Sequence, residues 1–225
     1  MAIHFDSFTV ASLARQASQE HPLECCGILV GKRFHAETDR RERFRSVRSA
    51  PRALARAISP CSTDDVGVAG SAIVAGIVPA KNIADGDRQK KYQIDWAVLM
   101  CAVRAERDGE LADLVSSELY GNVRREPCAS HGDDHDGLRI VGFYHSHPDG
   151  SSKPSRFDRQ ASWSGYSYVI VSIQPDRSAT LSSWFIACDA EVFVEEEVVF
   201  EGSQAWGESS PAERSLRRKG LMKPR

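Results

Sequence analysis

The stretch LRIVGFYHSHPDGSSKPSRFD, residues 138–158, joins an apolar run to a group of polar side chains. The apolar run is typical of a buried strand, and Pro148 ends it because proline cannot donate a hydrogen bond to a sheet. Residues two apart on a strand project from the same face. We therefore expect His145 and His147 to aim their imidazoles together, while Ser146 points away.

The polar loop after this strand leads to Ser155 and Asp158, whose spacing predicts the capped start of a helix. A strand end facing a helix start can bring the Asp158 carboxylate beside the imidazoles of His145 and His147. Two nitrogens and one oxygen leave a fourth tetrahedral position for water, as in catalytic zinc sites. Zinc lowers the pKa of such a water to about 7. The alternative is two exposed histidines on a strand, followed by an ordinary helix cap.

The acidic residue for proton transfer is predicted to be Glu24, in the segment HPLECCGILVG. It begins an apolar strand directly after a helix, so it stands in an otherwise apolar setting. A hydrolytic site with an activated water needs a group that accepts and returns a proton. A glutamate at the start of a strand is otherwise commonly solvated, and that alternative stays open at this point.

Strand-like and helix-like patterns are mixed along the rest of the chain. The helical patterns are SFTVASLARQASQE, DWAVLMCAVRAERDG and SRFDRQASW. The strand patterns are CCGILVGK, AIVAGIVPAKN, KYQID, LRIVGFYH, SYVIVSIQPD, ATLSSWFIAC and EVFVEEEVVF. Together they predict one α/β domain over residues 1–202, in which helices flank a single mixed sheet.

Two polar stretches, at about residues 38–72 and 112–137, are predicted to be insertions in this domain. The first contains seven arginines between Arg40 and Arg56, and the second contains the segment SHGDDHD. For the arginine-rich stretch, a solvated insertion is favoured over a contact with nucleic acid. For the SHGDDHD segment, a solvated loop is favoured over a second metal site. Residues 203–225 are polar and basic, and we expect them to form a flexible tail.

The composition is that of an ordinary globular protein. The 225 residues carry a net charge of −2 with a pI near 6.4, so no global charge favours nucleic acid or anionic membranes. No apolar run is long enough to cross a bilayer, and MAIHFDSFTV lacks the pattern of a secretory signal. We therefore expect a cytoplasmic protein without a membrane partner. The six cysteines include no C-x-x-C pair and are expected to be reduced thiols.

The sequence resembles the JAMM (MPN-plus) zinc metallopeptidases in two separate segments. HSHPDGSSKPSRFD has that family's motif of His-Ser-His, seven residues, Ser, two residues and Asp. HPLECCGILVG resembles the family's upstream glutamate segment. The similarity covers roughly residues 5–200 and is closest to the compact prokaryotic branch. It implies a single MPN-like (cytidine-deaminase-like) α/β domain.

This resemblance also implies roles for individual residues. His145, His147 and Asp158 would bind one Zn²⁺ per chain. Glu24 would act as the general base toward the zinc-bound water and then pass the proton to the leaving amine. Ser155 would hydrogen-bond the water or the developing oxyanion. The implied activity is hydrolysis of the peptide or isopeptide bond after the C-terminus of a ubiquitin-like β-grasp or sulfur-carrier protein.

Two other functions fit parts of the same pattern. Metal-free relatives of this fold act as catalytically silent scaffolds or protein-binding modules, but they typically lack one or more ligands, and none is missing in this sequence. A DNA-repair-associated branch usually carries His-Asn-His, where this chain has a serine, Ser146, between its two histidines. The sequence therefore favours the peptidase over both alternatives.

Overall fold

The computed structural model describes residues 1–34, 70–119, 137–186 and 192–201. Seven strands lie in these ranges: β1 Ala2–Asp6, β2 Cys26–Phe34, β3 Ser71–Ala80, β4 Arg139–His147, β5 Ser167–Ile173, β6 Ala179–Phe185 and β7 Val194–Glu201. Four helices accompany them: α1 Ser7–Glu20, α2 Trp96–Asp108, α3 Leu111–Leu119 and α4 Arg156–Ala161. The described part of the chain is thus a mixed α/β structure, as the sequence predicts.

The seven strands form one closed sheet in the order β1-β3-β2-β4-β5-β6-β7, with β7 paired to β1. β1 runs parallel to β3 and β7, and β4 runs parallel to β5, whereas the other neighbours are antiparallel. The predicted mixed sheet is confirmed, but the sequence analysis does not predict its closure through β1. Since β4 lies between β2 and β5, the histidines at its end are held by paired strands on both sides.

Two clusters of buried apolar side chains hold the helices against this sheet. The first cluster packs Leu13 of α1 against Leu29 of β2 and its neighbours. The second packs Leu99 of α2 and Leu111 of α3 against Phe143 of β4. Each fully buried leucine contributes about 2 kcal/mol to folding. This packing fixes the sheet and, with it, the position of β4.

The predicted limits of α2 are confirmed by its caps. The Asp95 carboxylate accepts a hydrogen bond from the Ala97 N–H at 2.9 Å. Gly109 ends the helix with a φ of 77°, a left-handed conformation that glycine adopts at little cost. Because Asp95 is the last residue of the segment KYQID, the capped start of α2 anchors one end of that segment.

The strand predicted for the segment KYQID is wrong. KYQID is not a strand: Ile94 forms a single isolated bridge with Asn82 there. The seventh strand is instead β1, in which Ile3 and Phe5 are buried and alternate with less buried neighbours. Five residues with so few apolar side chains are a weak signal, and β1 owes its stability to pairing with β3 and β7.

The predicted insertions lie mostly outside the described residues, as do the arginine-rich stretch, the SHGDDHD segment and residues 203–225. Secondary structure overlaps the approximate limits of both stretches, because β3 begins at Ser71 and α3 covers Leu111–Leu119. Leu111 and Val115 are buried, and this packing overrides the polar composition of the segment. Within the described ranges, no helix is long and apolar enough to span a membrane.

The sheet also contains a buried ion pair between Arg33 of β2 and Glu196 of β7, with Nη1 and Oε1 3.8 Å apart. The Arg33 Nη2 donates to the Ser167 Oγ at 2.6 Å and to the Val141 carbonyl at 2.9 Å. The Ser183 Oγ donates to the Glu196 Oε2 at 2.8 Å. In this group, which we call the Arg33 cluster, the chain supplies both the buried positive and the buried negative charge.

Candidate metal centre

The end of β4 places two imidazoles on the same side of the sheet. The Nε2 atoms of His145 and His147 lie 3.0 Å apart, which confirms the prediction that the two rings share a face. Ser146 points the other way, and its Oγ accepts a hydrogen bond from the Cys25 N–H at 2.8 Å. The alternation of side chains along β4 therefore directs both histidines to one point and uses the serine between them to bind β2.

α4 begins with a capping box that also presents a carboxylate. The Ser155 Oγ accepts from the Asp158 N–H at 3.2 Å, and the Asp158 Oδ2 accepts from the Ser155 N–H at 2.5 Å. The same carboxylate faces β4, with Oδ1 3.3 Å from the His145 Nε2 and Oδ2 3.5 Å from the His147 Nε2. The ordinary helix cap and the contact with the histidines are both present, so the two interpretations of Asp158 do not exclude each other.

These three side chains form a compact group able to bind a metal ion, which we call the ligand cluster. One donor atom from each of His145, His147 and Asp158 lies within 4.8 Å of the others, and all three residues are buried. This burial excludes the alternative interpretation of the sequence, in which the two histidines are exposed on a strand. Two imidazole nitrogens and one carboxylate oxygen are a donor set that suits zinc.

The two histidines of the ligand cluster are supported in different ways. The His147 Nδ1 lies 3.0 Å from the Ser151 carbonyl oxygen, which also accepts a hydrogen bond from the Ser172 Oγ at 2.6 Å. The His145 Nδ1 is buried and has no hydrogen-bond partner among the described residues. Instead, the ring of Tyr92 stacks on the His145 imidazole, with centroids 4.3 Å apart and planes inclined by 20°.

Glu24 lies directly before β2 and is buried, with 4 % of its surface exposed. Its N–H donates to the Arg88 carbonyl at 2.8 Å, and its carbonyl accepts from the Asn82 Nδ2 at 2.9 Å. Its Oε2 has no hydrogen-bond partner in the part of the chain that the structure describes. The charges of His147 and Asp158 both act on the Glu24 carboxyl, so it belongs to the surroundings of the ligand cluster and is not a solvated glutamate.

Burial and neighbouring charges change the pKa values of these groups. Burial raises the pKa of Glu24 to about 8, although the charge of His147 acts to lower it. Burial also lowers the pKa of His145, whereas for His147 the hydrogen bond to Asp158 and its charge outweigh burial and raise the pKa. The pKa of Asp158 is lowered because its hydrogen bonds to the two histidines outweigh burial. Burial therefore favours the protonated form of Glu24 at neutral pH.

Two residues that border the site, Tyr92 and Asn82, are not predicted from the sequence. Both lie between β3 and α2, in a segment without helix or strand of its own. An aromatic ring and a side-chain amide in such a segment carry no spacing that would indicate contact with β4. The capped start of α2 holds Tyr92 close to the sheet, and the cap can be predicted from the sequence. The cap indicates a contact with β4 only when the position of α2 in the fold is known.

The fold and the buried ligand cluster define a JAB-type α/β domain. Residues 8–187 match the family described as prokaryotic homologs of the JAB domain, and the chain belongs to this family. The predicted resemblance to the compact prokaryotic JAMM branch is thereby confirmed. A curated relative, the desampylase of Haloferax volcanii, is 48% identical over 60 residues, which are 26% of this chain and 38% of the relative. The chain thus matches well under half of that relative's length.

A solved structure shows the same fold at low sequence identity. A protein of Desulfitobacterium hafniense, whose structure was determined in solution, superposes with a TM-score of 0.53 and 19% identity. The match covers 89% of this chain and 94% of that protein. A protein of Salinibacter ruber gives a TM-score of 0.45 and 21% identity over 93% of this chain and 97% of its own. The first similarity supports the fold alone.

Proposed function

We propose that this chain is a zinc-dependent hydrolase that cleaves the peptide or isopeptide bond after the C-terminus of a ubiquitin-like β-grasp or sulfur-carrier protein. The observation that carries this proposal is the convergence of His145, His147 and Asp158 on one buried point. Membership of the JAB family and the similarity to a desampylase support the class of reaction. The identity of the carrier protein and the type of bond are part of the proposal.

The ligand cluster fits one zinc ion per chain. A hydrogen bond donated from the His147 Nδ1 to the Ser151 carbonyl fixes the tautomer in which the Nε2 lone pair faces the cluster. The Asp158 carboxylate is ionised and is already held by the capping box. His145, His147 and Asp158 would hold the ion, and three protein ligands are the number found in catalytic zinc sites.

Glu24 is proposed to move the proton of the reaction. The chemistry that zinc supplies when bound is Lewis acidity, which makes a water molecule nucleophilic at neutral pH and polarises a carbonyl. A bound dication favours the ionised form of the neighbouring Glu24. The Glu24 carboxylate would then accept a proton from the attacking water and donate it to the leaving amine. Its Oε2, which has no hydrogen-bond partner among the described residues, is available for this role.

Ser155 is proposed to stabilise the negative charge that develops on the substrate carbonyl oxygen. In the capping box its Oγ accepts a hydrogen bond from the Asp158 N–H. A hydroxyl that accepts one hydrogen bond retains its own hydrogen for donation. Since that hydrogen is not used in the cap, Ser155 can hold α4 in place and donate to an oxyanion at the same time.

The test combines metal analysis with turnover. The full-length chain, purified without added metal, is expected to contain about one zinc per molecule and to cleave a reporter fused after the terminal glycines of a ubiquitin-like protein. A reporter joined to the same carrier through a lysine side chain decides between peptide and isopeptide bonds. Glu24→Gln is expected to keep the zinc and to lose about a thousandfold in kcat.

Two results would contradict this proposal. Full turnover by Glu24→Gln would exclude the proposed role of Glu24. A stable wild-type chain that takes up no zinc and cleaves neither reporter would favour the scaffold or protein-binding module instead.

A further inference from the structure

The ligand cluster has an asymmetry that the proposed chemistry does not explain. A histidine that binds a metal usually donates its other ring N–H to a carbonyl or carboxylate, which fixes the orientation of the ring. His147 follows this rule through the Ser151 carbonyl. His145 is buried with its Nδ1 unpartnered among the described residues. The contacts at its Nε2 are with His147 and Asp158, which would bind the same ion. A contact on the face of the His145 ring would restrict its rotation without using either nitrogen.

Tyr92 makes the contact that the missing hydrogen bond would otherwise supply. Its ring lies nearly parallel to the His145 imidazole, with a centroid distance of 4.3 Å and an angle of 20° between the planes. Rotation of the imidazole about its Cβ–Cγ bond would drive its edge into the tyrosine ring. Aromatic pairs of this kind interact favourably beyond the area that they bury, so the stack favours one orientation of His145.

The backbone on both sides of Tyr92 is held by a single side chain, Asn82. Its Nδ2 donates to the carbonyls of Lys91 at 3.2 Å and Glu24 at 2.9 Å. Its Oδ1 accepts from the N–H groups of Ala84 at 3.0 Å and Gln93 at 3.2 Å. These four bonds use both donors and both lone pairs of the amide. The same amide thus ties the chain around Tyr92 to the backbone of Glu24.

We propose that Tyr92 is a positioning residue for the metal centre, whose ring holds the His145 imidazole in its ligating orientation in place of a hydrogen bond at Nδ1. This inference rests on the proposed function, because it assigns Tyr92 a task only if the ligand cluster binds metal. The aromatic ring of Tyr92 holds the His145 imidazole in this orientation, and the Tyr92 hydroxyl does not contribute. Asn82 keeps the ring in place and couples its position to that of Glu24.

Zinc affinity of matched variants tests this inference without reference to hydrolysis. Competition with a chromogenic chelator would give the dissociation constant for zinc of the full-length wild type, Tyr92→Phe, Tyr92→Leu and Tyr92→Met. Loss of the planar ring in the leucine and methionine variants is expected to weaken binding about tenfold or more, and phenylalanine is expected to stay within about twofold of wild type. The visible spectrum of the cobalt-loaded proteins should change for leucine and methionine and not for phenylalanine.

A matched control separates positioning from general destabilisation. Tyr166→Leu removes a buried aromatic ring that packs edge-on against Phe143, 5.1 Å away, and should lower Tm without changing zinc affinity. Wild-type affinity in a folded Tyr92→Leu or Tyr92→Met variant would overturn the inference. So would equal losses in Tyr92→Phe and Tyr92→Met, because the hydroxyl would then be responsible. Absence of zinc from the wild type would instead contradict the proposed function itself.

Discussion

The two buried polar clusters of this sheet, the ligand cluster and the Arg33 cluster, differ in how their charges are balanced. In the Arg33 cluster, the guanidinium of Arg33 faces the carboxylate of Glu196, and each of the two groups also forms a hydrogen bond with a serine hydroxyl. In the ligand cluster, the ion-pair partners described for Asp158 are two histidines, and the charges of His147 and Asp158 act on the Glu24 carboxyl nearby. The Arg33 cluster contains a permanent cation, whereas the ligand cluster joins a carboxylate to two imidazoles.

This difference separates a structural role from a functional one. Removal of one partner from a buried ion pair leaves an uncompensated charge and destabilises the fold. Burial makes the Glu24 carboxyl costly to ionise, unless a cation binds nearby. We therefore expect substitutions in the Arg33 cluster to change stability, and substitutions in the ligand cluster to change metal binding.

The largest expected effect is that of His147→Ala, which removes one of three ligands. Zinc content should fall from about one ion per chain to near zero, and hydrolysis should disappear with it. Metal analysis after dialysis is the measurement, with His4→Ala as the matched control, because His4 lies on β1 and pairs with Glu201 at 3.7 Å. A His147→Ala chain that retains a full equivalent of zinc would show that the ion binds elsewhere.

The next effect concerns the Arg33 cluster. Glu196→Gln leaves the buried guanidinium without its counter-charge, and the free energy of unfolding should fall by about 3 kcal/mol. Glu195→Gln is the control, since its side chain is exposed on the same strand and should cost close to nothing. Denaturant titration measures both variants. The comparison between the clusters fails if Glu196→Gln leaves stability unchanged or weakens zinc binding in the folded protein.

The smallest expected effect is a pH dependence of the metal-free chain. The folded chain raises the pKa of Glu24 from 4.5 to about 8, so between these values it keeps a proton that the unfolded chain has released. The free energy of unfolding therefore falls as the pH rises through this range, by about 2 kcal/mol between pH 6 and pH 8. Denaturant titrations of the chelator-treated protein at both pH values measure the slope.

Glu24→Gln isolates the contribution of Glu24 to that slope. The variant has no carboxyl to titrate at this position, so its stability should fall less between the two pH values. If the free energy of unfolding changed equally with pH in the variant and the wild type, Glu24 would have to be ionised in the metal-free fold. Burial would then not oppose the ionisation of Glu24 as we expect.

The residues of the ligand cluster could be predicted because local geometry places them. Alternation along a strand puts His145 and His147 on one face, and the spacing from Ser155 to Asp158 predicts a helix cap. The burial of Glu24 could not be derived from its own segment, since a glutamate before an apolar strand is compatible with solvent exposure. The loop between β3 and α2 supplies the bonds that cover it.

The parts of the fold that escaped prediction depend on contacts between distant segments. β1 is a strand because β3 and β7 pair with it from far along the chain. Tyr92 lies in a segment with the pattern of a strand, but its ring serves the end of β4 instead of a sheet. Neither the pairing of β1 nor the contact of Tyr92 with β4 produces a periodic pattern in the sequence. Both depend on how distant segments are placed when the whole sheet closes.

The capping box of α4 has a consequence for how an ion would be captured. A freely rotating carboxylate must lose rotamer entropy when it becomes a ligand, at a cost of about 0.5–1.5 kcal/mol per side chain. The Asp158 carboxylate is immobilised by the Ser155 N–H, so this entropy is already lost when α4 forms. We therefore expect the rate of ion capture to depend on dehydration and entry of the ion, since the carboxylate needs no rearrangement.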